Sequence, residues 1–232
     1  TKFSATQAAE AMSYLGMAGW KTDQIIAGMP GLLNLAAASG ADLAQTADIV
    51  SDDLTAFGMQ ANQAGHMADV MAAASTNANT NVVLMGATFK YAGAVAGALG
   101  YSLEDVALAT GLMANAGIKG EQAGTSLRSM MSRMTAPTKQ VQAAMDKLGL
   151  TVKNSDGSMK PFGQTMQELR AKFAGMSDSE KAQYASMIAG QEAMSGFLAI
   201  VNASDSDFAK LSNAVNHADG AAAKMAKTMN QN

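Results

Sequence analysis

The sequence contains no cysteine, only two histidines (His66 and His217) and only three arginines (Arg128, Arg133 and Arg170). Without cysteine there is no disulfide framework and no thiolate chemistry, which fits a reducing compartment. The histidines are far apart and form no His-Glu-x-x-His pair, so the usual zinc constellations cannot be assembled. His66 reads as a polar-face residue of a helix rich in Ala, Met and Val. Charged residues make up 15% of the chain, against about a quarter in an average globular protein, and aromatics 5%. With a net charge of −3 and few basic residues, the chain lacks the clustered Lys and Arg that phosphate neutralisation requires. Specific nucleic-acid binding is therefore not expected.

Catalytic signatures are also missing. There is no Gly-x-Ser-x-Gly elbow, and neither histidine has a nucleophile partner in sequence. Gly93-Ala94-Val95-Ala96-Gly97 lacks the Lys-Ser/Thr that completes a phosphate loop. Reading Asn154-Ser155-Asp156-Gly157 as a calcium loop would put Val152 and Gly163 where carboxylates belong. Asp52-Asp53 reads as a solvated helix face, since a hydrolytic role would need a second carboxylate facing it across a cleft. These readings point away from an enzyme, a metal site or a cofactor.

What is abundant is small and apolar. Hydrophobic residues make up 48% of the chain, with 22 glycines and 19 methionines. Small side chains let helices approach closely and methionine fills irregular gaps, so a thin core with many Ala/Gly helix contacts is expected. The chain opens Thr1-Lys2-Phe3 with no initiator methionine and ends without a stop-like feature, which reads as an excised piece of a longer protein.

Helix signals dominate the order of the chain. Ser4-Ala5-Thr6-Gln7 is a capping box opening a helix to about Gly16. Thr22 or Asp23 opens the next, interrupted or restarted at Pro30. Asp42 with Gln45 starts a helix to about Phe57, and another spans residues 61–74 before a polar loop at 75–79. Residues 81–99 are the most apolar segment, read as a buried central helix. Ser102-Leu103-Glu104-Asp105 caps a helix to Ala116, Gly117 and Gly120 bracket a tight turn, and a further helix runs to Thr135 before Pro137. Thr138 begins one more, ending at Gly149. Asp156-Gly157 between short alternating runs signals a β-hairpin. Helices resume after Pro161, at the Ser177-Asp178-Ser179-Glu180 box and at Asp205 or Ser206; beyond Gly220 the tail is helical or frayed.

Gly19-Trp20-Lys21-Thr22-Asp23-Gln24-Ile25 resembles Gly100-Tyr101-Ser102-Leu103-Glu104-Asp105-Val106. Both are a glycine, an aromatic, a cap, acidic or amide residues and a β-branched residue, followed by an apolar helix and a second glycine turn, at Gly40 and Gly117. This reads either as a duplicated helical hairpin or as the chance recurrence of such turns in an Ala-rich helical chain. Gly93-x-x-x-Gly97 in an apolar helix is also a membrane packing pattern, but Lys90 sits mid-segment and the run is mostly Ala and Gly. A buried helix of a bundle is the better reading.

The run from Gly100 to Arg128 contains a glycine-led helix, the turn Ala116-Gly117-Ile118-Lys119-Gly120, and then Ala123-Gly124-Thr125-Ser126-Leu127-Arg128. In that order it resembles the core region of phage tail tape measure proteins. Pro161-Phe162 and the stretch Ile188-Ala189-Gly190-Gln191-Glu192-Ala193-Met194-Ser195-Gly196-Phe197-Leu198 resemble that family's distal half, although family members often carry a basic or small residue near Gln191-Glu192. The resemblance implies a structural protein acting in tail length determination, tail tube assembly and DNA ejection. It implies the tail tube protein, tail assembly chaperones and tail tip proteins as partners. The implied location is the virion tail lumen, with the bacterial host cytoplasm during assembly. A cell-wall hydrolase region and a membrane-active DNA-passage module are the rival readings.

The expected fold is all-α: stacked helical hairpins with one small β-hairpin insertion, arranged as a helical-hairpin core over residues 1–149 and a β-hairpin with a helical subdomain over residues 150–232. The candidate structural or interaction residues are Trp20, Tyr101, Gly117, Gly120, Gly124 and Arg128. The three glycines permit a tight turn and close helix contact. Arg128 caps or pairs near the hairpin base, and Trp20 and Tyr101 are either core anchors or partner contacts. Because glycines and caps interrupt the helices so often, the region should fold back on itself as a bead rather than run as an extended shaft.

Overall fold

The computed structural model describes residues 2–229. Among them are thirteen α-helices: α1 Ala5–Met17, α2 Thr22–Ser39, α3 Leu43–Phe57, α4 Ala64–Asn77, α5 Val82–Ala98, α6 Leu103–Asn115, α7 Gly120–Thr135, α8 Lys139–Leu148, α9 Phe162–Phe173, α10 Asp178–Ala189, α11 Met194–Val201, α12 Asp205–Asn216 and α13 Ala221–Met229. Short 3-10 turns, Ala61–Gln63 and Gln191–Ala193, lead into α4 and α11. Most starts follow from local chemistry. The side chains of Ser4, Asp42, Asn81, Ser102, Thr138, Ser177 and Ser204 each accept the backbone N–H three residues on, which satisfies one of the amides a helix start leaves free.

The first seven helices stack in two layers. In one, α1 lies on α3, α3 on α5 and α5 on α7; in the other, α2 lies on α4 and α4 on α6. The chain then wraps the far end with α8–α11 and returns, so that α12 covers α4 and α6 while α13 covers α2 and α4. One continuous apolar cluster runs from Ala11 to Ala222. Its centre is α6, in which every residue from Val106 to Ala114 is buried. Residues 81–99 were the expected centre, but α5 packs mainly between α3 and α7, with smaller contacts to α4 and α6, and keeps Val83 41% exposed. Its high hydropathy reflects small Ala and Gly residues, whereas α6 is enclosed by helices of both layers.

α5 is held at backbone distance from both neighbours. A Cβ at Gly97 would stand 2.7 Å from the Phe57 carbonyl oxygen, and one at Gly93 3.0 Å from the Ala56 methyl. On the opposite side a Cβ at Gly124 would stand 2.6 Å from the Thr88 oxygen and 2.7 Å from Tyr91 Cβ. Phe57 and Phe89 fill the space beside this seam, edge to face at 5.4 Å.

The β-hairpin insertion is not present. Among the described residues there is no strand, only an isolated bridge between Lys153 and Met159. The turn itself forms: the Asn154 N–H donates to Ser158 O at 2.8 Å and the Ser158 N–H to Asp156 Oδ1 at 2.9 Å. Its arms are too short for a ladder, and a lone two-stranded hairpin is at best marginal in water. The Thr151 hydroxyl bonds the Lys153 carbonyl at 3.0 Å and bends one arm, and Pro161 has no N–H to extend the other. Buried Leu150 and Val152 fix the loop to the helical core instead.

Two helices also run further than expected. Pro30 does not interrupt α2. Its ring lies on the exposed face, where water can satisfy the carbonyl it leaves without a donor. α4 extends through Ser75, Thr76 and Asn77, whose side chains donate to the Ala72 and Ala73 carbonyls. In the tail, residues 221–229 are helical and residues 230–232 lie outside the described residues.

The α5–α7 contact should tolerate no added atoms. Gly124→Ala should lower stability by about 1–3 kcal/mol in urea unfolding. Gly65→Ala, which meets nothing within 4 Å, should be neutral or stabilising by up to about 1 kcal/mol. Equal effects of the two substitutions would contradict the close-contact account.

Candidate functional site

The segment singled out by sequence folds as the hairpin α6–α7 laid against α5. The Ser102 Oγ accepts the Asp105 N–H at 3.1 Å, and Glu104 and Asp105 place negative charge at the positive end of the helix. Gly100 at φ 73° turns the chain out of α5. Tyr101 follows, 5% exposed, with its ring 5.1 Å from that of Phe162. Burial pushes its phenol pKa up, and its buried hydroxyl has no hydrogen-bond partner among the described residues. Gly117 at φ 87° ends α6 in the same way, the Ile118 N–H reaching back to Met113 O at 3.0 Å. Gly120 opens α7, and its carbonyl accepts the buried Thr88 hydroxyl at 2.9 Å. Gly124 one turn later is the close contact with α5.

Trp20 is half-buried and lies over Gly28, where a Cβ would meet its ring at 2.8 Å. Arg128 is not brought to the hairpin base: it is exposed and makes no hydrogen bond or ion pair among the described residues. The anchoring arginines are the other two. Arg133 Nε and Nη2 donate to the carbonyls of Ile188 and Met187 at 3.0 and 3.1 Å, closing the end of α10. Arg170, buried beneath the Phe208 ring, donates to the carbonyls of Ile200 and Ala203 and to Asp205 Oδ1 at 2.6 Å. It closes the end of α11 and ties it to the start of α12.

Two aspartates do the converse at helix starts. Asp69 on α4 accepts the N–H groups of Gly220 and Ala222 at 2.8 and 3.0 Å, capping α13. Asp105 faces the Phe162 and Gly163 N–H groups at the start of α9; burial raises its pKa, and the pull of these amides and of Ser102 partly offsets the rise. Sequence reasoning missed all four of these long-range caps. The available signal was negative: Pro161 opens α9 without a side-chain cap of its own, so its amides had to be met from elsewhere.

Asp53 overturns another expectation. It is 1% exposed rather than solvated, and its Oδ2 has no hydrogen-bond partner. Burial, and then neighbouring Asp52, raise its pKa well above the usual carboxylate range against the opposing pull of Lys90. His66 pairs with Glu104 at 2.6 Å and links α4 to α6 at a partly exposed position. A surface cleft of about 530 Å³ between the end of α6 and α11–α12 carries Asn115, Ser195, Asn202 and Asp207 on an apolar floor of Leu112, Ile118 and Leu198. Asp207 is its one titratable lining residue, so this arrangement supplies no acid–base pair. Arg133, Arg170, Asp69 and Asp105 act at helix ends, and Gly120 and Gly124 set helix spacing.

Residues 1–190 match the family described as phage-related minor tail protein. The chain is 41% identical, over all 232 residues, to the tape measure protein of Pneumococcus phage Dp-1, of which it covers 20%. It is 30% identical over 235 aligned positions to the probable tape measure protein of Escherichia phage P2, covering all of this chain and 29% of that protein. The chain therefore spans between a fifth and a third of the length of these curated relatives. No solved structure gives a significant match.

The buried carboxylate sets a pH dependence. Because the folded-state pKa of Asp53 lies above its unfolded value, its contribution to stability is fully present below the unfolded pKa and is lost as pH rises through the folded one. Asp53→Asn should therefore unfold later than the parent at neutral pH, by about 1–3 kcal/mol. The gain should vanish below about pH 4; urea midpoints across pH that show no such gain at neutrality would contradict it. Asp105→Ala should cost about 1–2 kcal/mol and speed hydrogen exchange at the Phe162 and Gly163 amides. Arg128→Ala, in the same assays, should stay within about 0.5 kcal/mol.

Proposed function

The chain belongs to the phage-related minor tail protein family, that of phage tail tape measure proteins, and from that premise we propose that these 232 residues form a folded bead on the tape rather than part of its measuring shaft. The observation that carries the reading is the fold-back. The longest helix, α2, has 18 residues and is about 27 Å long at about 1.5 Å per residue. A continuous helix of 232 residues would reach roughly 350 Å. As a component of the phage tail, the bead contributes a fixed body to a protein whose length is measured elsewhere.

In this reading the bead takes part in tail length determination, tube assembly and DNA ejection as a structural element. Its environment is the tail lumen in the virion and the bacterial host cytoplasm during assembly. The tail tube protein, tail assembly chaperones and tail tip proteins are its partners. Trp20, Tyr101 and the glycines of the α6–α7 hairpin keep its shape, and Arg128, exposed and unpartnered, is free to meet a partner. The family and the relatives are tail structural proteins, so the hydrolase and membrane-active readings are not favoured.

An in-frame deletion of this region from the parent tape measure gene separates bead from shaft. Electron microscopy should show a sharp drop in the number of tails, with those that form close to normal length. Abundant tails shortened by roughly 350 Å, the full helical length, would show that the region measures.

A further inference from the structure

The exposed apolar residues of this chain are concentrated at one end of the stack. Met12, Tyr14 and Met17 on α1 are 40%, 44% and 73% exposed, and Ile26 at the start of α2 is 65% exposed. α1 is the last helix of its layer, and its main contacts among the described residues are with α3 and α2.

Its open face has an occupied counterpart inside the same molecule. α1 and α5 end alike: the Gly19 N–H reaches Gly16 O and the Gly100 N–H reaches Gly97 O, both at 3.1 Å, while Trp20 and Tyr101 reach Leu15 O and Ala96 O at 3.0 and 2.9 Å. The register that aligns these ends matches Ala11 and Leu15, buried under α1, with Ala92 and Ala96, buried under α5. It also matches Ala5, Ala9, Met12 and Gly16 with Gly86, Lys90, Gly93 and Gly97. On α5 that second set is the seat of α3. A Cβ at Gly86 would meet Ile49 at 2.5 Å, and those at Gly93 and Gly97 would meet the Ala56–Phe57 end of the helix. On α1 all four positions are exposed, and Gly16 has nothing within 4 Å of where a side chain would begin. A glycine inside a helix costs about 0.5–1 kcal/mol against alanine, and on α1 no contact in the structure offsets it.

We infer that the outer face of α1 is a docking seat for one further amphipathic helix of the chemistry of α3, with a branched aliphatic and an aromatic side chain about two turns apart. The seat continues the α1–α3–α5–α7 layer by one helix. The partner lies closest over Gly16, as α3 does over Gly97, and rides higher at Met12, where α5 has glycine. Lys2 and Glu10, at and near the edge of the seat, are the charged groups the partner must accommodate. The inference rests on helix geometry and stands apart from the bead reading.

The test supplies a helix of known fit. A second copy of the α3 sequence, Leu43–Phe57, is fused through a flexible Gly/Ser linker to the start of the full chain. The melting temperature should rise by about 2–4 °C for each kcal/mol gained, and peroxide oxidation of Met12 should slow severalfold. Met176, partly exposed in the turn between α9 and α10, serves as the unchanged control. An added copy in which the residues matching Ile49 and Phe57 are alanine should give neither effect, and Gly16→Lys in the receiving chain, which fills the point of closest approach and leaves Met12 in place, should abolish both. No protection by the intact copy would overturn the proposal. So would concentration-dependent dimerisation of the unfused chain that shields Met12, because the seat would then belong to a second copy.

Discussion

The fold depends on α5 being held at backbone distance from α3 on one side and α7 on the other. Gly93 and Gly97 admit the end of α3, and Gly124 admits the carbonyl edge of α5 at Thr88. Large side chains at these points would push the helices apart. With only 5% aromatic residues, the chain has little bulk with which to refill the gap, and dispersion contacts fall away quickly with separation. Close approach is thus how a chain rich in Ala and Gly obtains a dense interior. The Thr88 hydroxyl bound to Gly120 O fixes where α7 begins, and that position sets the α6–α7 hairpin and the burial of α6.

On this frame the later helices are fastened by their ends. Asp105 and Asp69 hold the starts of α9 and α13, and Arg133 and Arg170 hold the ends of α10 and α11. Each contact joins residues far apart in sequence and satisfies backbone groups that would otherwise need water or a local cap. A chain with 15% charged residues has placed several of them where they close helix termini. Asp53 is the exception: it is buried, carries an oxygen without a partner and lies near the α3–α5 seam.

Local signals were legible and long-range ones were not. Ser4, Asp42, Ser102 and Ser177 announced their helices because an N-cap acts on amides two or three residues away. Gly117 announced a turn because a left-handed residue ends a helix by itself. The Asp156-Gly157 turn was read correctly as a turn, but whether its arms pair depends on their length and on what covers them. Pro30 was read as a break because its exposure depends on which face of α2 meets solvent. Arg128 was preferred over Arg133 and Arg170 because it stands in the recognisable Ala-Gly-Thr-x-Leu-Arg run, whereas the caps made by the other two exist only after folding. Asp53 looked solvated beside Asp52, and one helical position separates an exposed carboxylate from a buried one.

A body built this way has a fixed size, and within a tape measure protein that size distinguishes it from a shaft. The most direct measurement is small-angle X-ray scattering from the isolated 232-residue segment. A folded bead predicts a radius of gyration near that of a globular chain of this length, about 17 Å. A value of several tens of ångströms, approaching the roughly 100 Å of one continuous helix, would contradict the account.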